Sequence, residues 1–395
     1  MFVGGRRRWA TVVALSMAVA IAVCGCGTIT TEPTVRSTTE VRNPKTSKVQ
    51  GVPGSVELAA IAPGTADLMA RIRATDPCSL LNREFAERLG PFQGFDRSPG
   101  AERGGGWTGC GLIIAANDAP DASYLVNVEL DKVYTSDKRV GDTAEQVNGR
   151  VVFRGSGSGS DDARPDASSC DYRIPVEDTG FAHGLTISKV SGPTKAPVPW
   201  SKPCQFTKDY LAATIDNLMA LRARPGTEPG PRSLVQRDPC AAQPQITTQF
   251  PGWEMSSVGW TKAYKCAITL VQTGGTHRST VEVSFEQSSE QMVKAGEILR
   301  LPSGLDGGQS IQYARHMTLD GLTGIEIRSV QSTDPTRQNT SCGLTLNYRR
   351  ADPPTANNAH LVRVSLNLTP ATPPFPFDAC TQAAQIAPTV LQSIR

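Results

Sequence analysis

The cysteines constrain this chain more than any other feature, because eight of its ten fall into two sets of four with matching surroundings. The sets are Cys78, Cys110, Cys170 and Cys204, then Cys240, Cys266, Cys342 and Cys380. Asp-Pro-Cys opens each set, a Gly-Trp-Thr sequence precedes each second cysteine, and Ser-Cys begins a strand-like run at each third. Self-similarity over such a long period is typical of tandem duplication. We therefore expect two related halves.

The N-terminal segment resembles the leader of a bacterial lipoprotein. Three arginines at positions 6–8 precede an apolar run over 9–23, which is shorter than the about 20 residues of a membrane-spanning helix. Cys26 follows Gly25 and an aliphatic residue in a sequence similar to a lipobox. Residues 1–25 are therefore predicted to be a signal peptide and Cys26 to carry a diacylglyceryl anchor. An ordinary cleaved signal with incidental cysteines is the alternative.

Composition divides the remainder of the chain. Residues 26–56 are rich in Thr, Ser and Pro and hold few large apolar residues, which predicts a disordered tether. The Pro- and Gly-rich stretch 225–232 predicts a linker. The first four-cysteine domain is then expected over 57–224 and the second over 233–395.

Alternating apolar and polar residues predict strands in both halves. Tyr124, Val126 and Val128 share one face in the first half, and Val281 and Val283 do so in the second. Such alternation is typical of antiparallel sheets with one face in water. Helical patterns follow each Asp-Pro-Cys and close each half. The predicted fold class is α+β, with two tandem helix–antiparallel sheet–helix domains, each stapled by two disulfides.

An exported protein with an even number of cysteines is expected to form disulfides. Four cysteines allow three pairings, and we favour first with fourth and second with third, which joins the two terminal helices and then two strands. These pairs are Cys78–Cys204, Cys110–Cys170, Cys240–Cys380 and Cys266–Cys342. No CxxC pair occurs, so the spacing indicates neither a redox motif nor a zinc cluster.

The arrangement of cysteines resembles that of a family of small secreted actinomycete lipoproteins of unknown function. The sequence Asp-Pro-Cys-Ser-Leu-Leu at 76–81 is the nearest match, and the second half keeps only Asp-Pro-Cys at 238–240. The double-disulfide design is also similar to the extracellular sensor domains of actinomycete receptor kinases. The resemblance covers residue 76 to the C terminus and implies an envelope lipoprotein with a disulfide-bonded sheet. It carries no catalytic residue to this chain.

The search for chemistry gives no catalytic motif, metal site or cofactor. The net charge of +3 argues against a general nucleic-acid binder. The four histidines show no ligand spacing such as HxxxH. The Gly/Ser repeat at 155–160 matches GxSxG only formally and is typical of a linker.

Tryptophans are the candidate ligand contacts. Trp107 and Trp260 occupy equivalent places and are expected to be core anchors beside a disulfide, with sugar stacking as the alternative. Trp200 and Trp253 have no counterpart in the other half, so we single them out for ligand contact.

The resulting hypothesis is a non-catalytic binding or accessory module on the outer face of the cytoplasmic membrane. Its partners would be the membrane, through the lipid anchor, and an envelope glycan, lipid or protein, but no nucleic acid. The alternative is an enzyme that modifies envelope polymers with a site assembled from dispersed carboxylates. Examples of such carboxylates are Asp161, Asp162, Asp166 and Glu177.

Overall fold

Two antiparallel sheets of eight strands each dominate the computed structural model, and the helices are few. The structure describes residues 62, 64–96, 107–156, 168–176, 178–192, 196–222, 233–275, 277–288, 298–303, 308–330, 340–350, 359–369 and 376–395. The predicted signal peptide, Cys26, the tether and the linker at 225–232 lie outside these residues.

The first half begins with helices, continues through eight strands and ends with helices. Its opening elements are α1 (Thr65–Ala74), a 3-10 turn (Pro77–Leu80) and α2 (Arg83–Ala86). Its strands are β1 (Phe92–Asp96), β2 (Gly109–Ala115), β3 (Ala122–Val133), β4 (Thr143–Val147), β5 (Arg150–Arg154), β6 (Ser169–Val176), β7 (Phe181–Ser191) and β8 (Ala196–Pro197). Its closing helices are α3 (Pro203–Ala212) and α4 (Ile215–Ala220).

The second half has one short opening helix and one long closing helix. The opening helix is α5 (Gln243–Thr247), and the closing helix is α6 (Ala379–Ile394). Its strands are β9 (Trp253–Lys262), β10 (Lys265–Gln272), β11 (Arg278–Ser288), β12 (Ile298–Ser303), β13 (Gly308–Leu319), β14 (Leu322–Val330), β15 (Thr340–Arg349) and β16 (Ala359–Thr369).

Both sheets have the same strand order, so the duplication expected from the cysteines is visible in the topology. The first sheet runs β1-β2-β3-β7-β6-β5-β4, with β8 added beside β7. The second runs β9-β10-β11-β16-β15-β14-β13, with β12 added at its edge. In each half three strands form a meander, the chain then crosses to the far edge, and four strands return to the middle. Every pairing is antiparallel, as the residue alternation predicted.

The Asp-Pro-Cys motif forms the same local structure in both halves. The Asp76 carboxylate accepts a hydrogen bond from the Cys78 amide at 3.1 Å, and the Asp238 carboxylate accepts one from the Cys240 amide at 2.9 Å. An aspartate that binds the backbone two residues ahead fixes a tight turn. The turn places each cysteine against the second strand of its sheet.

The disulfide pairing favoured from the sequence is wrong, because consecutive cysteines are joined. The bonds are Cys78–Cys110, Cys170–Cys204, Cys240–Cys266 and Cys342–Cys380, with Cα–Cα distances of 5.1, 5.0, 5.2 and 5.1 Å. β2 and β6 lie three strand positions apart, which is roughly 14 Å at about 4.8 Å per strand. A disulfide cannot span that distance, since it needs Cα atoms closer than about 7 Å. Each strand cysteine therefore bonds to the helix or turn that packs on its own strand.

The closing helix α6 forms as its sequence suggests, with one difference. Asp378 caps it by accepting a hydrogen bond from the Thr381 amide at 2.8 Å, and Ile386, Val390 and Leu391 are buried against the sheet. A proline in a helix interior removes one backbone hydrogen bond, yet this helix continues past Pro388 to Ile394. None of the described helices is long and apolar enough to cross a bilayer.

Candidate functional site

The two tryptophans singled out for ligand contact are packed against other aromatic rings. Trp200 is 8% exposed, and its ring centroid lies 4.9 Å from Tyr124 and 6.0 Å from Phe206. Trp253 is half-buried between Phe250 and Phe377. Trp200 is thus a core residue, and its assignment as a ligand contact is wrong. Trp200 and Trp253 do not line a common site, since each packs against a different set of aromatic rings.

The equivalent tryptophans of the two halves differ in their surroundings. Trp107 is 7% exposed and packs against Tyr264 and His360, with both centroid distances at 4.9 Å. It therefore lies between the halves instead of within one of them. Trp260 is half-buried, and its indole N–H donates to Asp238 at 2.8 Å.

The halves are joined by a buried polar clamp, which consists of Arg73 and Asp131 of the first half around Ala263 of the second. Arg73 on α1 donates to the Ala263 carbonyl at 3.0 Å, and Asp131 on β3 accepts from the Ala263 amide at 2.8 Å. Both charged groups and Ala263 are buried. Burial raises the pKa of Asp131 and lowers that of Arg73. Each charge therefore bears a desolvation penalty, which hydrogen bonds to the peptide partly offset.

A small cleft lies where Trp107 of the first half meets His360 of the second. It has a volume of about 250 Å³ and is lined from both halves, with Asp76 and Trp107 on one side and Arg349 and His360 on the other. His360 accepts a hydrogen bond from the Leu234 amide at 3.1 Å, and burial lowers its pKa to about 4. The neutral His360 ring therefore has a structural role, because it accepts this backbone hydrogen bond.

An open groove lies between α6 and the β13–β14 hairpin, and we call it the α6 groove. Its volume is about 540 Å³. Its walls are Ala314, Arg315, Glu326, Arg328, Asp378 and Ala384, together with Cys380, Thr381 and Gln385. This volume is within the range of about 300–1,000 Å³ that is typical of small-molecule sites.

Two ion pairs line the α6 groove. Arg315 donates to Glu326 at 2.7 Å across the β13–β14 ladder, and Arg328 donates to Asp378 at the start of α6. Glu326 is buried, whereas the Arg315 side chain is 71% exposed. The hydrogen bonds from Thr381, together with the Arg328 guanidinium, hold the pKa of Asp378 below its usual range. Sequence reasoning singled out none of these four residues.

The titratable groups with the most strongly shifted pKa values are engaged in the fold. His183 donates from Nδ1 to the Leu130 carbonyl at 2.7 Å, and its burial lowers its pKa to about 4. Burial also raises the pKa of Tyr210, whose hydroxyl accepts from the Asn82 amide at 2.8 Å.

One group of residues has the spacing of a metal site but the wrong chemistry. Within the described ranges, Glu326, Cys342 and Cys380 bring ligand atoms within 4.8 Å of one another. Both sulfurs belong to the Cys342–Cys380 disulfide, so neither is a thiolate able to bind a metal. The carboxylates proposed for an enzyme lie outside the described residues. They are Asp161, Asp162, Asp166 and Glu177.

Comparison with known proteins identifies no family. No family model matches the chain, and no curated protein matches it. The di-domain ARO/CYC StfQ from the steffimycin biosynthetic pathway aligns with 85% of this chain and 94% of its own, at 8% identity and a TM-score of 0.15. The di-domain ARO/CYC BexL from the BE-7585A biosynthetic pathway aligns with 85% and 92%, at 13% identity and a TM-score of 0.13. Superpositions this poor carry neither fold nor activity to this chain.

Proposed function

We propose that this chain is a non-catalytic lipoprotein of the cell envelope that binds a glycan, lipid or protein partner while Cys26 anchors it to the membrane. The lipobox-like sequence before Cys26 and the Thr/Pro-rich segment at 26–56 support the anchor and a tether. Several acyl chains on one cysteine hold a protein at a bilayer stably, whereas one chain does so only marginally.

In this proposal the globular part consists of two helix–sheet–helix modules of the secreted four-cysteine type. The repeated strand order and the repeated disulfides support the module. The clamp at Ala263 supports the view that the two modules act as one body, since both backbone groups of that residue are bound by the other half.

The α6 groove is the observation that carries the binding role. It is open, has the volume of a ligand site and is lined by charged side chains.

The anchor is tested with the Cys26→Ala variant. We expect the unsubstituted chain to sediment with membranes and the variant to lose most of this association, because the thiol is the acylation site. Cys24→Ala is the matched control and should remain membrane-bound. Mass spectrometry of the N-terminal peptide should show acylated Cys26. An unmodified Cys26 in a protein released from the cell would contradict the anchor.

The binding role is tested by crosslinking in the native envelope, followed by affinity purification and mass spectrometry of proteins, lipids and glycans. Stoichiometric enrichment of one species over a mock purification supports the role and identifies the partner class. Recovery of the bare chain in repeated purifications would contradict it.

A further inference from the structure

The two halves differ where the closing helix meets the far hairpin of its sheet. Lys208 on α3 and Ala384 on α6 occupy equivalent positions, because each follows its helix cysteine by four residues. Lys208 reaches across to Glu145 on β4 at 2.8 Å. Ala384 has no side chain that could reach a hairpin, and it lines the α6 groove instead.

The sheet residues near these two helix positions also differ in charge between the halves. Tyr172 and Leu344 each follow their strand cysteine by two residues, and the ladder places Arg154 opposite Tyr172 but Glu326 opposite Leu344. In the first half Arg154 pairs with Glu145 at 3.0 Å. A positive position in one copy is thus negative in the other.

These differences close the space in the first half and leave it open in the second. Lys208, Glu145, Arg154 and the Tyr172 hydroxyl form one bonded network between α3 and the β4–β5 hairpin. The second half has alanine and leucine at two of these positions and retains about 540 Å³ of free volume. The first half is therefore an internal reference for a filled groove.

The open groove offers more hydrogen-bond donors than acceptors. Both oxygens of Asp378 are occupied, Oδ1 by the Thr381 amide and hydroxyl and Oδ2 by Arg328. The buried Glu326 is bound by Arg315. Each guanidinium has five N–H donors, and among the described residues each of these two arginines makes one side-chain hydrogen bond. The Arg315 and Arg328 side chains are 71% and 43% exposed, so their remaining donors are open to solvent and accessible to the acceptor oxygens of a ligand.

We propose that the α6 groove binds the anionic oxygens of a ligand, a carboxylate or a phosphate, through Arg315 and Arg328. Guanidinium groups bind both kinds of oxyanion with paired, charge-assisted hydrogen bonds. Glu326 and Asp378 are positioning residues, because each holds one guanidinium at the groove wall. The remaining volume accommodates the neutral part of the ligand. This inference rests on the binding role proposed above and names the chemistry of its site.

The test is calorimetric titration of the full chain in detergent, at low salt, with succinate, glycerol 3-phosphate and neutral glycerol. We expect at least one anion to bind and glycerol not to bind. The anion that binds distinguishes carboxylate from phosphate. Arg315→Gln and Arg328→Gln should each weaken binding at least about tenfold. Arg83→Gln is the matched control, since Arg83 forms an exposed ion pair with Glu87 in the first half, and it should change affinity less than about twofold.

A second variant tests the groove itself without changing charge. Ala384→Met places a long neutral side chain where the first half has Lys208, and it should weaken anion binding about tenfold. Gln392→Met, at the exposed far end of α6, is its control. Near-UV circular dichroism checks that each variant is folded. The proposal is overturned if neither anion binds at about 10 mM, or if binding is unaffected by both arginine substitutions. Capture of an envelope partner without anion binding would overturn this site and leave the binding role standing.

Discussion

Two buried histidines show how single residues couple this fold to pH. His183 uses its Nδ1–H to donate to a backbone carbonyl, whereas His360 uses its unprotonated Nδ1 to accept from a backbone amide. Burial lowers the pKa of both to about 4, from an ordinary value of 6.5. Protonation of His360 would also remove the acceptor that the Leu234 amide needs. The folded state therefore keeps both rings neutral.

We predict that the free energy of unfolding rises between about pH 4 and pH 6.5. In that window the unfolded chain binds protons on both histidines and the folded chain does not, so acid favours unfolding. Each histidine contributes a slope of up to about 1.4 kcal/mol per pH unit. Guanidinium unfolding at several pH values measures this slope.

The His183→Gln/His360→Gln variant separates these residues from the carboxylates that also titrate in acid. Its stability should depend less steeply on pH than that of the unsubstituted chain. Parallel pH profiles for the two proteins would show that the histidines are not the cause.

Elements were predicted from the sequence where the signal is local. Alternation along β3 places Tyr124, Val126 and Val128 on a buried face, because successive strand residues point to opposite sides. Helix α1 was not predicted, although Leu68, Met69 and Ile72 are buried at helical spacing. The disulfide pairing was predicted wrongly because it depends on strand order. The crossover after β3 places β3 and β7 between the two strand cysteines, and no local pattern reports that.

The site could be predicted less well than the fold. The spacing of four residues from a helix cysteine to Lys208 or Ala384 is visible in the sequence. The spacing alone does not show that Ala384 lines a groove, because the groove also depends on which residues the sheet places opposite each other. Glu326 lies opposite Leu344, and these two residues belong to different hairpins. Trp200 was chosen because it is aromatic and unmatched, yet packing against Tyr124 decides its environment.

The disulfide pairing is tested by counting the free thiols of two double variants. Cys78→Ala/Cys110→Ala removes one complete bond and should add no free thiol to the unsubstituted count. Cys78→Ala/Cys204→Ala leaves Cys110 and Cys170 without partners and should add two. Thiol titration in denaturant measures both.

The first double variant should also lose about 3–4 kcal/mol of stability, because its bond closes a loop with a sequence separation of 32. Two added thiols in the first variant and none in the second would instead support the pairing favoured from the sequence.

At the scale of the whole molecule, the two halves behave as one body. Residues 56–395 form a single compact unit, and buried apolar side chains from both sheets form one continuous cluster. The clamp of Arg73 and Asp131 around Ala263 lies within this contact, so the charges are shielded from solvent and from salt.

We predict that Arg73→Ala lowers stability by about 3 kcal/mol, since it leaves the buried Ala263 carbonyl without its donor and Asp238 without the arginine with which it forms an ion pair. Differential scanning calorimetry should show one transition for the unsubstituted chain and a broader or divided transition for the variant. Arg71→Ala is the control, because Arg71 lies on the same helix and is exposed. Equal effects of the two substitutions would mean that the clamp does not couple the halves.

The consecutive disulfides have a consequence for the order in which the chain matures. The eight described cysteines form four bonds, each between two cysteines that are consecutive in the sequence, and no bond encloses another. A chain that enters an oxidising compartment N terminus first exposes the two partners of each bond before any cysteine of the following bond. An oxidase that joins thiols in order of arrival thus produces the native set directly. For oxidation in that order, we expect the native bonds to form with an electron acceptor and without reshuffling by a disulfide isomerase.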